Sequence, residues 1–485
     1  MQTEIRNLEP KAIWNYFSDI NAIPRASKKE AKITAFMQQF GNSLGLATAV
    51  DDAGNVIIKK PASAGMENKQ TVVLQSHLDM VHQKNADTDF DFNIQGINMY
   101  VDGDWVKAKG TTLGADNGIG VATIMSILAA KDIPHPPIEA LFTVDEETGM
   151  TGAKELKGGL LKGHILLNLD TEDDDELTIG CAGGIDVTID GEYKTKTPVQ
   201  GSAGFMISLT GLTGGHSGVE IQLGRANANK LMNRVLYNLQ KKLNIEIHSI
   251  RGGSLRNAIP RESKSVIATK DAKLVKDEIE KWNEILKAEY RVTDASLKLN
   301  AKETSTPATV FETGFQQNFL AAVYACPNGI YRMTPGIEGL VQTSNNIAKI
   351  EAAEGKFTVQ CLTRSSVDSE KTDLATAIQN SFNACQAKVS FSGEYPGWEP
   401  KPDDPVIKMM SDLYQKMFKS AARVDAIHAG LECGIIGGNY PGMQMISFGP
   451  NIYGAHSPDE RVQISSVQKF WKYLLEILKQ IPGKH

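Results

Sequence analysis

Residues 71–79 are Thr-Val-Val-Leu-Gln-Ser-His-Leu-Asp, an apolar run followed at once by a histidine and an aspartate. The apolar part predicts a buried strand over 71–75, so the polar pair lies where the strand leaves the sheet. The same pattern returns at 140–144 and 165–169, where predicted strands are followed by acidic residues. Helical patterns separate these strands. Together they indicate an α/β fold with a mixed, mostly parallel sheet flanked by helices, and with polar residues at its carboxyl edge.

The overall composition is that of an ordinary globular protein, with 485 residues, 41% hydrophobic and 22% charged, and a formal net charge of −6. No basic patch stands out, which argues against nucleic acid as a partner. The polar N-terminus lacks the pattern of a signal peptide, and no apolar run approaches the ~18 residues that span a bilayer. Five widely spaced cysteines without a C-x-x-C pair favour reduced thiols. We therefore expect a cytoplasmic protein that does not bind a membrane.

A second domain is predicted because the chain is long for a single core and its pattern changes after residue 184. From there the strands become longer and more polar, and two amphipathic helices are predicted at 227–239 and 273–290. This part exceeds the about 100 residues of a small α+β unit, which favours two subdomains within it. The predicted boundaries are 1–184 and 400–485 for the α/β domain and 185–399 for an inserted α+β domain.

Five short motifs supply histidine or carboxylate side chains after a predicted strand or within a glycine-rich turn. They are His77-Leu78-Asp79, Gly114-Ala115-Asp116-Asn117-Gly118, Asp145-Glu146-Glu147-Thr148-Gly149, Asn168-Leu169-Asp170 and His456-Ser457-Pro458-Asp459-Glu460. Their imidazoles and carboxylates are ligands that zinc accepts, and they are numerous enough for two metal ions. Asp79 lies close enough to His77 to orient its ring. The motifs predict a two-metal hydrolytic site.

Several of these residues also have structural interpretations. Asp116 precedes a predicted helix and would serve equally well as its N-cap. Glu146 and Glu147 would otherwise form a solvated acidic turn, whereas in a metal site one would be a ligand and the other a base acting on water. The acidic run from Glu172 to Glu176 lacks the alternating ligands and central glycine of a calcium loop, so we expect it to be solvated.

His216 differs from the other candidate histidines because it lies in the inserted domain. Its neighbours in Gly214-Gly215-His216-Ser217-Gly218 include glycines that would let a substrate come near. Six further histidines are predicted to be structural or at the surface, with His428 left open: His82, His135, His164, His248, His428 and His485. Glu460 is a potential partner for the residues around His456.

This ordered set of motifs resembles the co-catalytic zinc exopeptidase family that includes carboxypeptidase G, peptidase T and peptidase V. The resemblance extends from the first helix to the last. It implies two zinc ions per subunit, for which cobalt or manganese could substitute, and an unusual peptide bond after Asp116. The implied ligands are His77 and Asp170 for one zinc, His456 and Glu147 for the other, and Asp116 as the bridge between them.

The resemblance also implies the roles of residues that do not bind metal. Glu146 would be the general base and later the general acid, Asp79 would orient His77, and His216 would stabilise the oxyanion from the inserted domain, which acts as a lid. Further residues would hold the carboxylate end of the substrate, although each could instead be an ordinary surface residue of the lid. They are Asn257, Arg364 and, through its backbone, Gly430.

An aspartate at the position of Asp170 goes in this family with aminopeptidases and dipeptidases. The resemblance therefore implies hydrolysis of unblocked dipeptides, preferentially Xaa-His dipeptides including β-alanyl-histidine. A deacylase of N-acyl amino acids on the same scaffold is the nearest alternative, and a non-catalytic metal-binding relative is a third. Family members either form a homodimer through the lid or use a second lid half in the partner's place, so a homodimer is one expected assembly.

Overall fold

The computed structural model of the protein describes residues 2–484, so Met1 and His485 lie outside the described residues. Contacts between residues divide the chain into two units. The first unit contains the described residues up to Gly180, Pro400–Ala426, and those from Leu431 onward, and the second contains Cys181–Glu399 and Ile427–Gly430. Residues 181–184 and 427–430, predicted to be in the α/β domain, thus belong to the second unit.

The helices and strands of the described residues fall into three consecutive parts of the chain. Before the insertion are α1 (Gln2–Arg6), α2 (Lys11–Asn21), α3 (Ala31–Ser43), β1 (Ala47–Val50), β2 (Val56–Lys60), β3 (Val72–His77), β4 (Met99–Asp102), β5 (Trp105–Ala108), α4 (Ala115–Ala129), β6 (Ile138–Thr143), α5 (Thr151–Glu155), β7 (Ile165–Asn168) and β8 (Glu176–Cys181). The insertion contains β9 (Gly183–Glu192), β10 (Thr195–Lys196), β11 (Ala203–Thr210), β12 (Gly215–His216), α6 (Ala228–Leu243), β13 (Glu246–Gly253), β14 (Ala258–Ile259), β15 (Ser263–Thr269), α7 (Ala272–Glu289), β16 (Lys298–Thr304), β17 (Val310–Phe311), α8 (Thr313–Ala325), β18 (Gly329–Met333), β19 (Val341–Ala353), β20 (Lys356–Ser365), α9 (Asp368–Ser381) and β21 (Lys388–Tyr395). After it follow α10 (Pro405–Phe418), β22 (Arg423–Ile427), α11 (Glu432–Asn439), β23 (Gln444–Ser447), β24 (Ile452–Tyr453), β25 (Arg461–Gln463) and α12 (Ile464–Gln480).

An eight-stranded sheet with the order β1-β2-β6-β3-β7-β23-β8-β22 lies at the centre of the first unit. Its four middle strands, β6, β3, β7 and β23, run parallel, whereas β1, β2 and β8 pair antiparallel. The fold class is confirmed as α/β with a mixed sheet that is parallel in its middle. Because β3, β6 and β7 end side by side at His77, Thr143 and Asn168, the polar segments after them leave the sheet at one edge.

Two helices of the first unit fix the position of that edge. Helix α2 buries Ile13, Trp14 and Phe17 on one face, as their spacing predicts. Helix α4 is buried almost all round, and it packs against both β3 and α2. Its first residues carry the glycine-rich motif, so the central position of α4 brings that motif to the end of β3. Among the described helices, none combines the length and apolar composition needed to cross a membrane.

The second unit is built from two similar halves that share one nine-stranded sheet. One half runs β11-α6-β13-β15-α7-β16 and the other β9-α8-β19-β20-α9-β21, each a βαββαβ arrangement. The spatial orders are β16-β11-β15-β13 and β21-β9-β20-β19, and the antiparallel pairing of β13 with β19 joins the halves. This pairing covers part of two strand edges that would otherwise be exposed. The ninth strand, β18, pairs with another part of β19. The two expected subdomains therefore form one continuous sheet.

An aromatic cluster stabilises the core of the second unit. Phe319 is fully buried, and its ring centroid lies 5.4 Å from that of Phe315, 5.3 Å from Phe357 and 6.5 Å from Phe382. We expect Phe319→Ala to lower the free energy of unfolding by ~3–5 kcal/mol, because it removes buried contacts and leaves a cavity. Urea denaturation followed by fluorescence measures this loss. Phe391→Ala, at a side chain that is 44% exposed, is the control, and an equal loss in both variants would contradict the prediction.

Candidate metal centre

All five predicted ligands meet at the carboxyl edge of the central sheet. His77 Nε2 lies 3.0 Å from Asp116 Oδ1 and 3.4 Å from Asp170 Oδ1. His456 Nε2 lies 3.1 Å from Asp116 Oδ2 and 3.0 Å from Glu147 Oε2. Each imidazole therefore faces two carboxylates, and Asp116 presents a different oxygen to each imidazole. The result is two three-ligand groups that share Asp116.

The donor atoms of these groups suit divalent cations. Imidazole nitrogen and carboxylate oxygen are ligands for zinc, manganese and cobalt. Glu147 Oε1 is buried and has no hydrogen-bond partner among residues 2–484. Burying a carboxylate oxygen without a partner is costly, and a bound cation would remove that cost. The two groups coincide with the ligand sets that the family resemblance implies.

The same contacts shift the pKa values of the two histidines and of Asp170. Burial alone would lower the pKa of His77, but the neighbouring carboxylates, led by Asp170, raise it well above its usual value. Hydrogen bonds with Asp116 and Glu147 raise the pKa of His456 to about 11. Burial raises the pKa of Asp170 to about 6. Protons and cations therefore compete for these atoms, so metal binding should release protons.

Asp79 is fully buried and connects His77 with the segment that carries the two glutamates. Its Oδ1 lies 3.3 Å from His77 Nδ1 and accepts a hydrogen bond from the backbone N–H of Glu146 at 3.0 Å. Its Oδ2 accepts one from the N–H of Glu147 at 3.3 Å. The contact with His77 is the predicted one, whereas the contacts with the glutamate backbone could not be inferred from the sequence.

Glu146 lies near the centre but outside the two groups that share Asp116. One of its oxygens lies within 4.8 Å of ligand atoms of His77 and Glu147. Burial raises the pKa of Glu146 well above its usual value. The positive charge of His77 opposes this rise. The negative charges of nearby carboxylates reinforce it, namely those of Asp170, Glu432 and Glu147. A carboxyl group that readily holds a proton is suited to proton transfer.

Two structural interpretations drawn from the sequence are wrong. Asp116 is not the N-cap of α4, because Gly114 occupies that position with φ +69° and Asp116 has a non-helical ψ of 109°. The peptide bond from Asp116 to Asn117 is cis, which is the unusual bond that the resemblance implies. The Glu146-Glu147 segment is not a solvated turn, since the side chain of Glu147 is only 4% exposed.

The acidic run Glu172–Glu176 was predicted to be solvated. This is right for Asp173 and Asp175, whose side chains are 44% and 53% exposed, and wrong for the more buried Glu172, Asp174 and Glu176. Glu172 is half-buried, and burial raises its pKa to about 8. Arg423 and Lys469 form ion pairs with the next four carboxylates at 2.7–3.1 Å. These cations come from after the insertion, about 250 residues or more along the chain, so the local sequence does not reveal the pairing.

Buried charged residues beside the centre were not recognised from the sequence. Glu432 is 2% exposed, and its Oε2 accepts hydrogen bonds from Gln75 Nε2 and Thr143 Oγ1, both at 2.7 Å. Burial raises the pKa of Glu432 to about 7. Arg25 was also missed, and Glu460 was noted only as a potential partner. No local motif marks either Arg25 or Glu432, because their contacts are with segments distant in the sequence.

In the second unit, the hydrogen bonds of His216 define which ring nitrogen carries the proton. The backbone N–H groups of Gly218 and Val219 donate to His216 Nδ1 at 3.1 and 3.2 Å. A neutral ring that accepts at Nδ1 carries its proton on Nε2. Burial, followed by the positive charge of Arg364, lowers the pKa of His216 and favours this neutral form. His216 Nε2 is therefore a hydrogen-bond donor.

Arg364 and His428 are buried in the same region of the second unit. Arg364 Nε has no hydrogen-bond partner in the described part of the chain. His428 Nε2 lies 2.7 Å from Ser344 Oγ, and burial lowers the pKa of His428 to about 3. His428, which the sequence left open, is thus a buried neutral residue.

Gly218 shows how closely these residues approach one another. A Cβ atom on Gly218 would lie 3.0 Å from His216 Cε1, 3.2 Å from Arg364 Nε and 2.3 Å from the carbonyl oxygen of His428. The residue must therefore be glycine. The other two predicted substrate residues adjoin this group. The backbone carbonyl of Asn257 accepts a hydrogen bond from the N–H of Ser217, and Gly430 follows His428 by two residues in the sequence.

The model of peptidase family M20/M25/M40 matches residues 73–480, which include all five candidate ligands. The chain belongs to this peptidase family, as the motifs predict. Over 484 residues it is 40% identical to the cytosol non-specific dipeptidase of Escherichia coli strain K12, covering 99% of this chain and 100% of that protein.

Two solved structures have the same fold. Aminoacylhistidine dipeptidase from Vibrio alginolyticus is 44% identical, with a TM-score of 0.95 and 99% of both chains covered. The aminopeptidase PepT from Bacillus cereus is 15% identical, with a TM-score of 0.57 and coverage of 98% of this chain and 99% of that one, and this similarity shows the fold.

Proposed function

We propose that the protein is a dinuclear metallo-dipeptidase that hydrolyses unblocked dipeptides. The observation that carries this proposal is that the two oxygens of Asp116 face two different imidazole–carboxylate groups. The names of the Escherichia coli and Vibrio relatives support a dipeptidase, and the second supports a preference for Xaa-His dipeptides such as β-alanyl-histidine. The substrate is then a small peptide.

The proposed cofactors are two zinc ions per subunit, with cobalt or manganese able to substitute. We assign His77 and Asp170 to one ion, His456 and Glu147 to the other, and Asp116 to both. When bound, the two ions would polarise the substrate carbonyl and lower the pKa of water to near neutrality.

In this proposal Glu146 performs the proton transfers. Its carboxylate takes a proton from the attacking water and later delivers that proton to the leaving nitrogen. Burial, which raises the pKa of Glu146, helps it to hold the proton between the two steps. Asp79 positions both partners, because it binds the backbone N–H of Glu146 and the ring of His77.

Residues of the second unit are proposed to bind the substrate. His216 donates from Nε2 to the oxygen that becomes negative during the attack. Arg364 holds the substrate carboxylate, for which its planar guanidinium is well suited, and its unpartnered Nε supports this role within the described chain. Asn257 and the backbone of Gly430 would add further contacts to the same carboxylate.

His216→Ala is expected to lower kcat by ~10²–10³-fold, because it removes one donor to the oxyanion. Metal content should stay at the wild-type level, since His216 is not a proposed ligand. Steady-state kinetics and elemental analysis measure the two quantities. His248→Ala, at a histidine of the same unit whose ring bonds the carbonyl of Thr309, is the control. A His216→Ala enzyme with wild-type kcat would contradict the assigned role.

Members of the family are expected either to form a homodimer through the second unit or to use a second half of it in the partner's place, and the two cases differ in which subunit supplies His216. Mixing inactive His216→Ala protein with inactive Glu146→Ala protein distinguishes the two arrangements. Recovered activity requires His216 to act across subunits, whereas continued inactivity of a mixture shown to form dimers means that it acts within its own chain.

The proposed function is tested by assaying the chelated protein with free Xaa-His dipeptides, including β-alanyl-histidine, after zinc, cobalt or manganese is added back. Metal-restored cleavage would support the dipeptidase. Hydrolysis of N-acyl amino acids instead would favour the deacylase alternative on the same scaffold. Binding of two metal ions without cleavage of either substrate class would identify a non-catalytic relative.

We also propose that the protein acts in the cytoplasm. The Escherichia coli relative is named as a cytosol enzyme. All five cysteines of this chain are buried, which fits thiols that stay reduced.

A further inference from the structure

Glu460 lies four residues after His456, and its carboxylate is buried against the turn that carries Asp116. Glu460 is 2% exposed. Its two oxygens accept four backbone N–H groups: Oε2 accepts those of Leu113 at 2.7 Å and Gly114 at 2.9 Å, and Oε1 accepts those of Ala115 at 2.7 Å and Asp116 at 3.2 Å. One carboxylate therefore binds four consecutive backbone N–H groups, from Leu113 to Asp116.

Two of these N–H groups, those of Ala115 and Asp116, belong to the first turn of α4, and the other two directly precede it. The first N–H groups of a helix have no partner within the helix, and the positive end of the helix dipole favours a negative charge there. Gly114, at the N-cap position, has no side chain to bind them. Glu460, which comes from the other end of the chain, takes this role with charge-assisted hydrogen bonds, which are stronger than neutral ones.

Arg25 binds the same turn through a carbonyl group. Its Nη2 donates to the carbonyl of Gly114 at 2.5 Å, and its Nη1 donates to the carbonyls of Leu78 and Asp79 at 3.1 and 3.0 Å. Arg25 is also 2% exposed. A Cβ atom on Gly114 would lie only 2.5 Å from Arg25 Nη2, so the close approach requires glycine. Arg25 thus joins the turn to the segment that follows His77.

We call Arg25 and Glu460 the buried clamp. Three ligand-bearing segments, distant in the sequence, meet at it: the residues after His77, the turn before Asp116, and the loop after His456. The last segment contacts Asp116 twice, since His456 lies 3.1 Å from the carboxylate and Glu460 binds the backbone N–H. A shift of the Glu460 carboxylate would therefore change the separation of His456 and Asp116.

We propose that Glu460, supported by Arg25, is a positioning residue that sets the geometry of the two cation sites around Asp116. This inference rests on the metal centre proposed above. Residues that hydrogen-bond to metal ligands without binding the metal themselves affect metal affinity or activity by about 10–100-fold when they are mutated. The clamp acts on the shared ligand, so both cation sites should respond to its loss.

Glu460→Gln tests the clamp. It keeps the size of the side chain but replaces one accepting oxygen with an NH2 group, which cannot accept hydrogen bonds from the backbone N–H groups. We expect both cobalt ions to bind about 10–100-fold more weakly than in the wild type, with a changed visible spectrum and a fall in kcat larger than the change in KM. Asp459→Asn is the matched control, since it removes the same charge at the exposed neighbouring side chain. Thermal unfolding of the metal-free proteins shows whether each variant is folded.

A Glu460→Gln protein with wild-type cobalt affinity and spectrum would overturn the inference, as would an equal effect of Asp459→Asn. If Glu460→Gln does not fold, Arg25→Lys tests the inference instead. It keeps the positive charge but loses the guanidinium group, whose two Nη atoms bind the segment after His77 and the turn before Asp116. A changed cobalt spectrum in Arg25→Lys supports the clamp, and an unchanged one overturns it. A wild-type protein that binds fewer than two cobalt ions would instead overturn the metal centre itself, and the clamp with it.

Discussion

Glu146→Gln is expected to keep two metal ions per subunit and to lose ~10²–10⁴-fold in kcat, the usual contribution of a general acid–base residue. Glutamine has the shape of glutamate, so the backbone contact with Asp79 and the two ligand groups should persist. It cannot take up a proton at neutral pH, so neither proposed proton transfer can occur. Elemental analysis and steady-state kinetics on a free dipeptide measure the two quantities.

The matched control for this variant is Glu155→Gln, at an exposed glutamate of the same unit. It should change neither metal content nor kcat. A Glu146→Gln protein that loses metal while it retains turnover would contradict the assignment of Glu146 as the base, and would place it among the ligands.

Asp116→Asn is expected to weaken both metal sites together and to lower turnover by at least ~10³-fold. Only one of the two side-chain oxygens remains, so the residue can no longer present an oxygen to both imidazoles. The polarisation that a metal ion supplies is worth several kcal/mol, and each 1.36 kcal/mol corresponds to a factor of ten in rate. Metal titration followed by kinetics measures the loss.

Asp170→Asn provides the informative comparison, because Asp170 contacts only the group that contains His77. It should weaken one site and leave the other close to wild type, whereas Asp116→Asn should weaken both. If the two variants lose the same single ion, Asp116 is not shared, and the dinuclear arrangement is wrong.

The main elements of the α/β fold could be predicted from the sequence because each depends on local periodicity. The apolar runs that form β3, β6 and β7 are buried throughout, as strands in the parallel middle of a sheet must be. Parallel strands place their carboxyl ends together, so the polar residues after them could be expected at one edge. The five proposed ligands were named on this basis and from the family resemblance.

The repeated halves of the second unit could not be predicted in the same way. One half is inserted into the other after β9, so elements that are neighbours in the sheet are far apart in the sequence. The pairing of β13 with β19 is a match between two edges, and no local pattern of residues specifies which edges will meet.

The sequence by itself determined the strands, the order of the ligand motifs and the chemical types of the ligands, since short-range patterns encode all three. Only the tertiary structure decided which buried charges hold those ligands. Arg25 binds carbonyls 53 to 89 residues away, and Glu460 binds N–H groups 344 to 347 residues away. Glu432 bonds Gln75 across 357 residues. A buried charge is stable only where distant segments supply its partners, and the folded chain alone brings those segments together.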